Sequence, residues 1–454
     1  MFSLDDLLDQ TEGKTLEFKR DASSPDRIIA TVVAFANSAG GVILIGVEDR
    51  TRHVRGVDDP SRLEEHLANL IWDRIEPRLV PDMQIVPWRK ESILAIRVYP
   101  SMSRPHWIKQ LGNGEGVYVR VGSTNRRADP AQIDELRRSI RGRTFDEEPL
   151  AELHSEAIDF RAASECFSPK RVLQRKDLRT MQITACVQGR EAPTVGGLLL
   201  FGKKRLEMFP DSKIRLGCFA GADKSHILDS AEVVSYPVFA IDEILAFVQR
   251  NTRRGLRIEG ARNVESWDFP MLAIREAVIN AIVHADYSQR GMPLKVSIFD
   301  DRIEIENPGG LPPGLTIEEI RHGLSKLRNR VMGRVFYELG LIEQWGSGIQ
   351  RMTKTCVEAG LPEPLLAEMG PGFRVTFFRH RSASQARDPL DQMILDALAK
   401  QPGLPTCRIA REIKRTPRAT RDRLARLLKL GLIVAIGSSA KDPRKTFRLA
   451  AISS

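Results

Sequence analysis

Apolar and polar residues alternate along this chain in two periods, and each change of period marks the edge of an element. In the first 140 residues, Thr15-Leu-Glu-Phe-Lys19, Gly40-Gly-Val-Ile-Leu-Ile-Gly-Val47, Ile93-Leu-Ala-Ile-Arg-Val-Tyr99 and Gly116-Val-Tyr-Val-Arg-Val121 read as strands. Residues 26–37 carry Ile28, Ile29, Val32, Val33 and Phe35 at helical spacing, and residues 60–74 read as a second helix. This mixture predicts an α+β unit. Gly196-Gly-Leu-Leu-Leu-Phe-Gly202 reads as a further strand, and residues 296–306 alternate in two runs around Asp300-Asp301, which predicts a hairpin. Near the C terminus, helices are expected over 390–398, 406–413 and 416–430. Thr406 caps the second; Thr416 caps the third, with Pro417 at its first position and Gly431 at its end. Two strands over 433–449, around Ser438-Ser-Ala-Lys-Asp-Pro443, complete the layout of a wing.

One helix breaks its own pattern. Residues 271–287 are apolar around most of the circumference, yet Glu276, Asn280 and His284 recur every fourth position. At about 100° per residue they share one narrow face. A carboxylate and an amide in such a setting cost free energy unless something uses them. A hydrated magnesium ion carrying phosphates would do so: the carboxamide oxygen of Asn280 ligates the ion, and Glu276 orients or deprotonates a water. A lone helical histidine is ordinarily a hydrogen-bonded core residue; sharing the stripe puts His284 beside the nucleotide with an open role. Downstream, the second hairpin strand runs into Asn307-Pro-Gly-Gly-Leu-Pro-Pro-Gly314, and Gly346-Ser-Gly-Ile349 opens another helix. Glycines let backbone N–H groups approach phosphates, and a helix N-terminus adds partial positive charge.

These residues resemble the GHKL ATPase superfamily, in the divergent branch often attached to Schlafen AlbA-type domains. Glu276 and Asn280 match the N-box, followed by His284, Asp286 and Tyr287. Asn307, Gly309 and Gly310 match the first glycine box. Gly346, Ser347 and Gly348, with Arg351-Met352, match the second, and Ser325, Arg328 and Asn329 match the lid segment. The resemblance implies ATP with Mg2+ held through Asn280, and Glu276 as the water-activating base. Two departures stand out. The adenine-binding Asp has no clean counterpart, so Glu306 or Asn307 stands in, and Arg330 replaces the proline after the lid Arg-Asn. Nucleotide binding is thus implied more directly than hydrolysis.

At the N terminus, Glu12-Gly-Lys-Thr-Leu-Glu17-Phe-Lys19, Ala34-Phe-Ala-Asn-Ser-Ala-Gly-Gly41, Gly46-Val-Glu-Asp49, Pro105-His-Trp107 and Tyr118-Val-Arg-Val-Gly-Ser-Thr124 resemble the Schlafen AlbA-type domain, also catalogued as a divergent AAA-type ATP-binding domain. The resemblance covers nearly all of residues 1–140 and implies nucleic-acid binding. In the animal Schlafen proteins this fold forms a metal-dependent RNA nuclease with three acids. Glu12, Glu17 and Asp49 (or the adjacent Glu48) match these, with Mg2+ or Mn2+ as the metal. Lys19, Arg120, Arg126 and Arg127 would contact phosphate. The alternative is a domain that binds without cutting, its carboxylates solvated. Convergence of the three acids favours cutting; a salt bridge from Lys19 or Arg20 to one of them favours binding alone.

A chain of 454 residues exceeds one core, so several domains are expected: 1–145, 150–380 with the ATP-binding part from about 230, and 388–454. Thr144-Phe-Asp-Glu-Glu-Pro149 reads as an acidic linker and residues 379–388 as a polar one. No apolar run reaches membrane-spanning length and the first residues do not form a signal peptide, so a cytoplasmic location is expected. Five scattered cysteines without a Cys-x-x-Cys pair argue against structural zinc. The net charge of +10 points to a polyanionic partner, and residues 388–454 hold 14 Lys and Arg against 6 Asp and Glu. That tail resembles winged-helix DNA-binding domains: Leu424, Leu427 and Leu428 face inward, leaving Arg418, Arg421, Arg423 and Arg426 for phosphates or base edges. A dimerisation or partner-binding winged helix is the alternative. Together these features suggest an ATP-binding regulator of DNA or RNA that self-associates, with a nucleotide-gated nuclease as the competing reading.

Overall fold

Residues 41–45 lie at the centre of the N-terminal sheet, which is why Ile43, Leu44 and Ile45 are fully buried. The computed structural model describes residues 4–49, 51–252, 254–259, 262–343, 346–379, 389–400, 403–413, 415–429, 433–436 and 446–449. Gly41–Ile45 pairs in parallel with Leu16–Lys19 and antiparallel with Glu91–Val98, beyond which Asp82–Trp88 forms the edge. The sequence pattern missed that edge strand, whose residues are mostly exposed and which contains Pro87, tolerated because an edge need not donate on both sides. Helices Pro25–Asn37 and Pro60–Arg74 bury Ile28, Val32, Leu67 and Ile71 against the sheet. Helix Pro130–Ile140, opened by a capping box between Asp129 and Gln132, was also not foreseen.

The middle region is built on a six-stranded sheet. Its order is Ile227–Val233, Ile214–Phe219, Leu294–Ile298, Arg302–Pro308, Gly372–Phe378, Leu365–Met369. The expected hairpin is present as Leu294–Ile298 antiparallel to Arg302–Pro308. Helices Pro237–Asn251, Met271–His284 and Gly348–Glu358 contribute Ile244, Ile274, Val278 and Met352 to the core shared with Val296, Ile305 and Val375. The expected strand over 196–202 is instead helix Val195–Phe201, buried throughout and capped by Thr194, which accepts from the Gly197 N–H at 3.0 Å. A short run apolar on all sides has no period that separates the two structures.

The acidic segment 144–149, expected as a linker, is instead anchored in the core. Asp146 is fully buried and accepts the backbone N–H groups of Arg330, Val331 and Met332 at 2.9, 2.7 and 3.0 Å, capping helix Arg330–Glu338 from 184 residues away. Burial pushes its carboxyl up to about 6, against those hydrogen bonds. Residues 1–379 form one unit, with 380–454 as the second.

In the second unit, helices Pro389–Lys400, Thr406–Glu412 and Pro417–Lys429 pack Ile394, Leu398, Ile409, Leu424 and Leu427 together. Strands Ile433–Ile436 and Thr446–Leu449 pair antiparallel, and Leu404–Pro405 adds an unforeseen third. Thr416 caps the third helix through Ala419 N–H at 3.3 Å, whereas Pro405, not Thr406, holds the cap position of the second. The linker 380–388, Gly431 and the wing turn 438–443 lie outside the described residues. Among those described, no helix is long and apolar enough to cross a membrane.

Candidate nucleotide and nucleic-acid sites

The polar stripe of helix Met271–His284 faces a cavity. Glu276, Asn280 and His284 line one wall, Asn307, Gly309, Gly310 and Ser325 another, and Gly346, Ser347, Gly348 and Arg351 a third. Apolar groups including Ile320, Ile342, Ile349, Phe373 and Val375 complete it. Apolar walls around a few convergent polar groups are the mixed lining of a small-molecule site. Gly309 has φ +88°, and an added Cβ would lie 2.7 Å from the Asp286 Cβ. Gly348 lets the start of its helix press against Glu276, whose Oε1 occupies the space a Cβ would need. Burial, with the Arg328 charge behind it, lowers His284 to about 4, so its imidazole is neutral at pH 7.

Glu276 is not free in this arrangement. Its Oε2 receives Arg351 Nη2 at 3.1 Å, so a cation neutralises the carboxylate expected to act as base. Asn307 rather than Glu306 reaches the cavity, and its Nδ2 donates to the Pro308 carbonyl at 3.0 Å. Glu306 pairs with Arg374 at 2.7 Å instead. The set suits a nucleotide: glycines with room only for backbone, the two carboxamides of Asn280 and Asn307, and a guanidinium whose buried Nε has no partner among the described residues. It is not an all-protein metal cage, since the described residues contain no group of three or more His, Cys, Asp or Glu able to hold an ion. Magnesium would therefore arrive with phosphates and water, as that ion usually does.

Three residues expected at the nucleotide lie behind the wall. Asn329 is buried and donates to the carbonyls of Val283 and Ala285 at 2.9 and 2.7 Å, fastening the lid segment to the end of the striped helix. Asp286 accepts from Ser288 and Gln289 and meets Arg328 at 3.3 Å. Arg328 donates to the Gly310 carbonyl at 2.7 Å and reaches Glu135 of the N-terminal domain at 2.5 Å. The structure makes all three braces of the cavity wall. A second tie sits beside them: Lys14 Nζ meets both Glu368 carboxylate oxygens at 2.8 Å, and Glu368 accepts the Leu311 N–H at 2.9 Å. No sequence signal marks a pair 354 residues apart.

The N-terminal acids are neighbours without forming a metal centre. Leu16–Lys19 and Gly41–Ile45 run in parallel, and Glu17 and Asp49 both lie near enough to Glu12 to act on its charge. Burial foremost, with Glu17 and Asp49 adding, raises the Glu12 carboxyl, against the Phe18 N–H it accepts at 2.8 Å. Glu17, however, is buried and taken by Lys19 and by Arg120. Arg120 is itself buried and fully engaged, with Gly13, Asn125 and Leu16 as further acceptors. Among the described residues the three acids do not form a metal-holding group; Arg120 is buried, and Lys19 is only partly exposed and paired with Glu17. Arg126 and Arg127 remain exposed on hairpin Tyr118–Val121/Thr124–Arg127. Glu17→Ala is accordingly expected to destabilise this domain by roughly 3 kcal/mol, because it strands a buried guanidinium. An unfolding transition equal to wild type would contradict that role.

In the second unit Arg421 is exposed, but Arg423 pairs with buried Asp391 at 2.8 Å and ties the third helix to the first. The Arg423 contact to nucleic acid is thus replaced by a structural one. The side chains of Arg418 and Arg426 lie outside the described residues.

Three family models match. The Schlafen AlbA_2 model covers residues 12–129, the model described as "Putative ATP-dependent DNA helicase recG C-terminal" covers 291–377, and a winged helix-turn-helix DNA-binding model covers 387–434. Among solved structures, the DIP2311 protein from Corynebacterium diphtheriae is 21% identical over 96% of this chain and 92% of its own, with a TM-score of 0.45. The N-terminal domain of a RecG-related protein from Nitrosomonas europaea is 28% identical over 28% of this chain and 94% of its own, with a TM-score of 0.23. No curated protein matches. The chain therefore joins, in order, a Schlafen AlbA-type domain, a GHKL-like domain of the RecG C-terminal type and a C-terminal winged helix-turn-helix.

Proposed function

We propose that this protein is a nucleotide-gated, nucleic-acid-binding regulator, acting in transcription in the cytoplasm as a homo-oligomer. Its middle domain takes ATP as a conformational ligand, and its winged helix and N-terminal hairpin hold DNA or RNA. Asn280 would hold magnesium through its carboxamide oxygen, and the ion would shield phosphate charge. The observation that carries the reading is the convergence of two interdomain ion pairs on one peptide of the cavity wall. Glu135–Arg328 ends on the Gly310 carbonyl, and Lys14–Glu368 ends on the Leu311 N–H. Moving that peptide must strain or relax both ties, so the cavity and the N-terminal domain share one set of contacts. Linkage makes the effect reciprocal: whatever nucleotide does to nucleic-acid affinity, nucleic acid does to nucleotide affinity.

The nuclease reading draws no support from the acids, because Glu17 is committed to Lys19 and Arg120. Fluorescence anisotropy with labelled duplex DNA and single-stranded RNA, with and without Mg-ATP, tests the gating. An affinity change of about fivefold or more is expected. Lys14→Ala should keep nucleotide binding and shrink that change. Equal affinities with and without saturating nucleotide would rule gating out.

A further inference from the structure

The donors around the second glycine turn are already engaged. Glu343 stands at the cavity mouth, and its carboxylate accepts Ser347 Oγ at 2.9 Å and Arg351 Nη1 at 2.7 Å. Those two bonds, Arg351's first, hold its carboxyl below the usual range, so it is an anion at neutral pH. Arg351 reaches inward from the first turn of helix Gly348–Glu358. Its Nη2 meets Glu276, and its Nε is buried with no partner among the described residues. The two carboxylates differ sharply: the Glu343 side chain is 56% exposed and that of Glu276 only 8%.

A carboxylate that collects a glycine-loop hydroxyl and a guanidinium at the start of an eleven-residue helix occupies the position a phosphate group would take. We propose that Arg351 joins Ser347 as a phosphate-binding donor of this cavity, and that Glu343 is an internal competitor displaced when the triphosphate enters. The proposal rests on the nucleotide-binding reading. Glu343 can leave at little cost because an exposed ion pair is weak and its carboxylate returns to water. Glu276 cannot, since separation would bury an unpaired charge. Arg351 therefore exchanges its outer partner and keeps its inner one, which also makes it the positioning residue for Glu276. Adenosine, lacking phosphates, has nothing to gain from the exchange.

Calorimetry on the full chain with magnesium, using ATP and adenosine as probes, tests this. Glu343→Ala should bind ATP on the order of fivefold more tightly than wild type and adenosine equally well. Arg351→Gln should reduce the preference for ATP over adenosine about tenfold. Glu343 lies at the surface, so its substitution leaves the fold in place even where Arg351→Gln, which strands Glu276, does not. ATP affinity in Glu343→Ala equal to or weaker than wild type overturns the competitor role while leaving nucleotide binding intact. Failure of wild type and Glu343→Ala alike to bind either probe overturns the nucleotide reading and this proposal with it.

Discussion

Asn280→Ala is expected to abolish measurable Mg-ATP binding, with a loss of at least about a hundredfold, the upper range for losing a group that merely supports a metal ligand. Asn280 lies on the cavity side of a helix whose other faces are packed, and alanine is the best helix former, so the fold should survive. Losing the carboxamide leaves phosphate charge uncompensated next to Glu276. Glu276→Ala should differ: it keeps binding and loses any hydrolysis. Calorimetry reporting normal Mg-ATP affinity in Asn280→Ala would mean that this helix does not serve a nucleotide.

A chain ending at residue 386 is expected to lose most salt-sensitive binding to duplex DNA. The second unit is compact in its own right, so removing it leaves the contacts within residues 1–379 in place. Each phosphate contact contributes about 0.9 to the slope of log affinity against log salt. A winged helix making three or four such contacts would flatten that slope by roughly 3, which between 50 and 200 mM salt amounts to about a hundredfold change in affinity. Arg423 is not counted among them, because Asp391 holds it. Unchanged affinity and slope in the shortened chain would identify the winged helix as a protein-contact module.

Elements with strong period and clear punctuation were legible from residue order. Helix 60–74, the hairpin around Asp300-Asp301 and the three tail helices fall where their patterns put them. The mistakes share a cause. Residues 195–201 are apolar on every side, so strand and helix look alike until Thr194 caps the N-terminus. Residues 144–149 read as a linker because the three partners of Asp146 lie on a helix 184 or more residues away.

Residue order alone determined that a carboxylate, an amide and an imidazole share one helix face, and that glycine turns follow it at the ends of a hairpin and before a helix. Those are local facts, set by the 3.6-residue turn and by the backbone freedom of glycine. Only the tertiary structure decided which polar groups remain available. It closed Arg351 over Glu276, Lys19 and Arg120 over Glu17, and Asp391 over Arg423. It also turned Arg328 and Asn329 from ligands into braces. The reason is electrostatic. A buried charge must find a partner, and the partner is chosen by proximity in space, which sequence separation does not record.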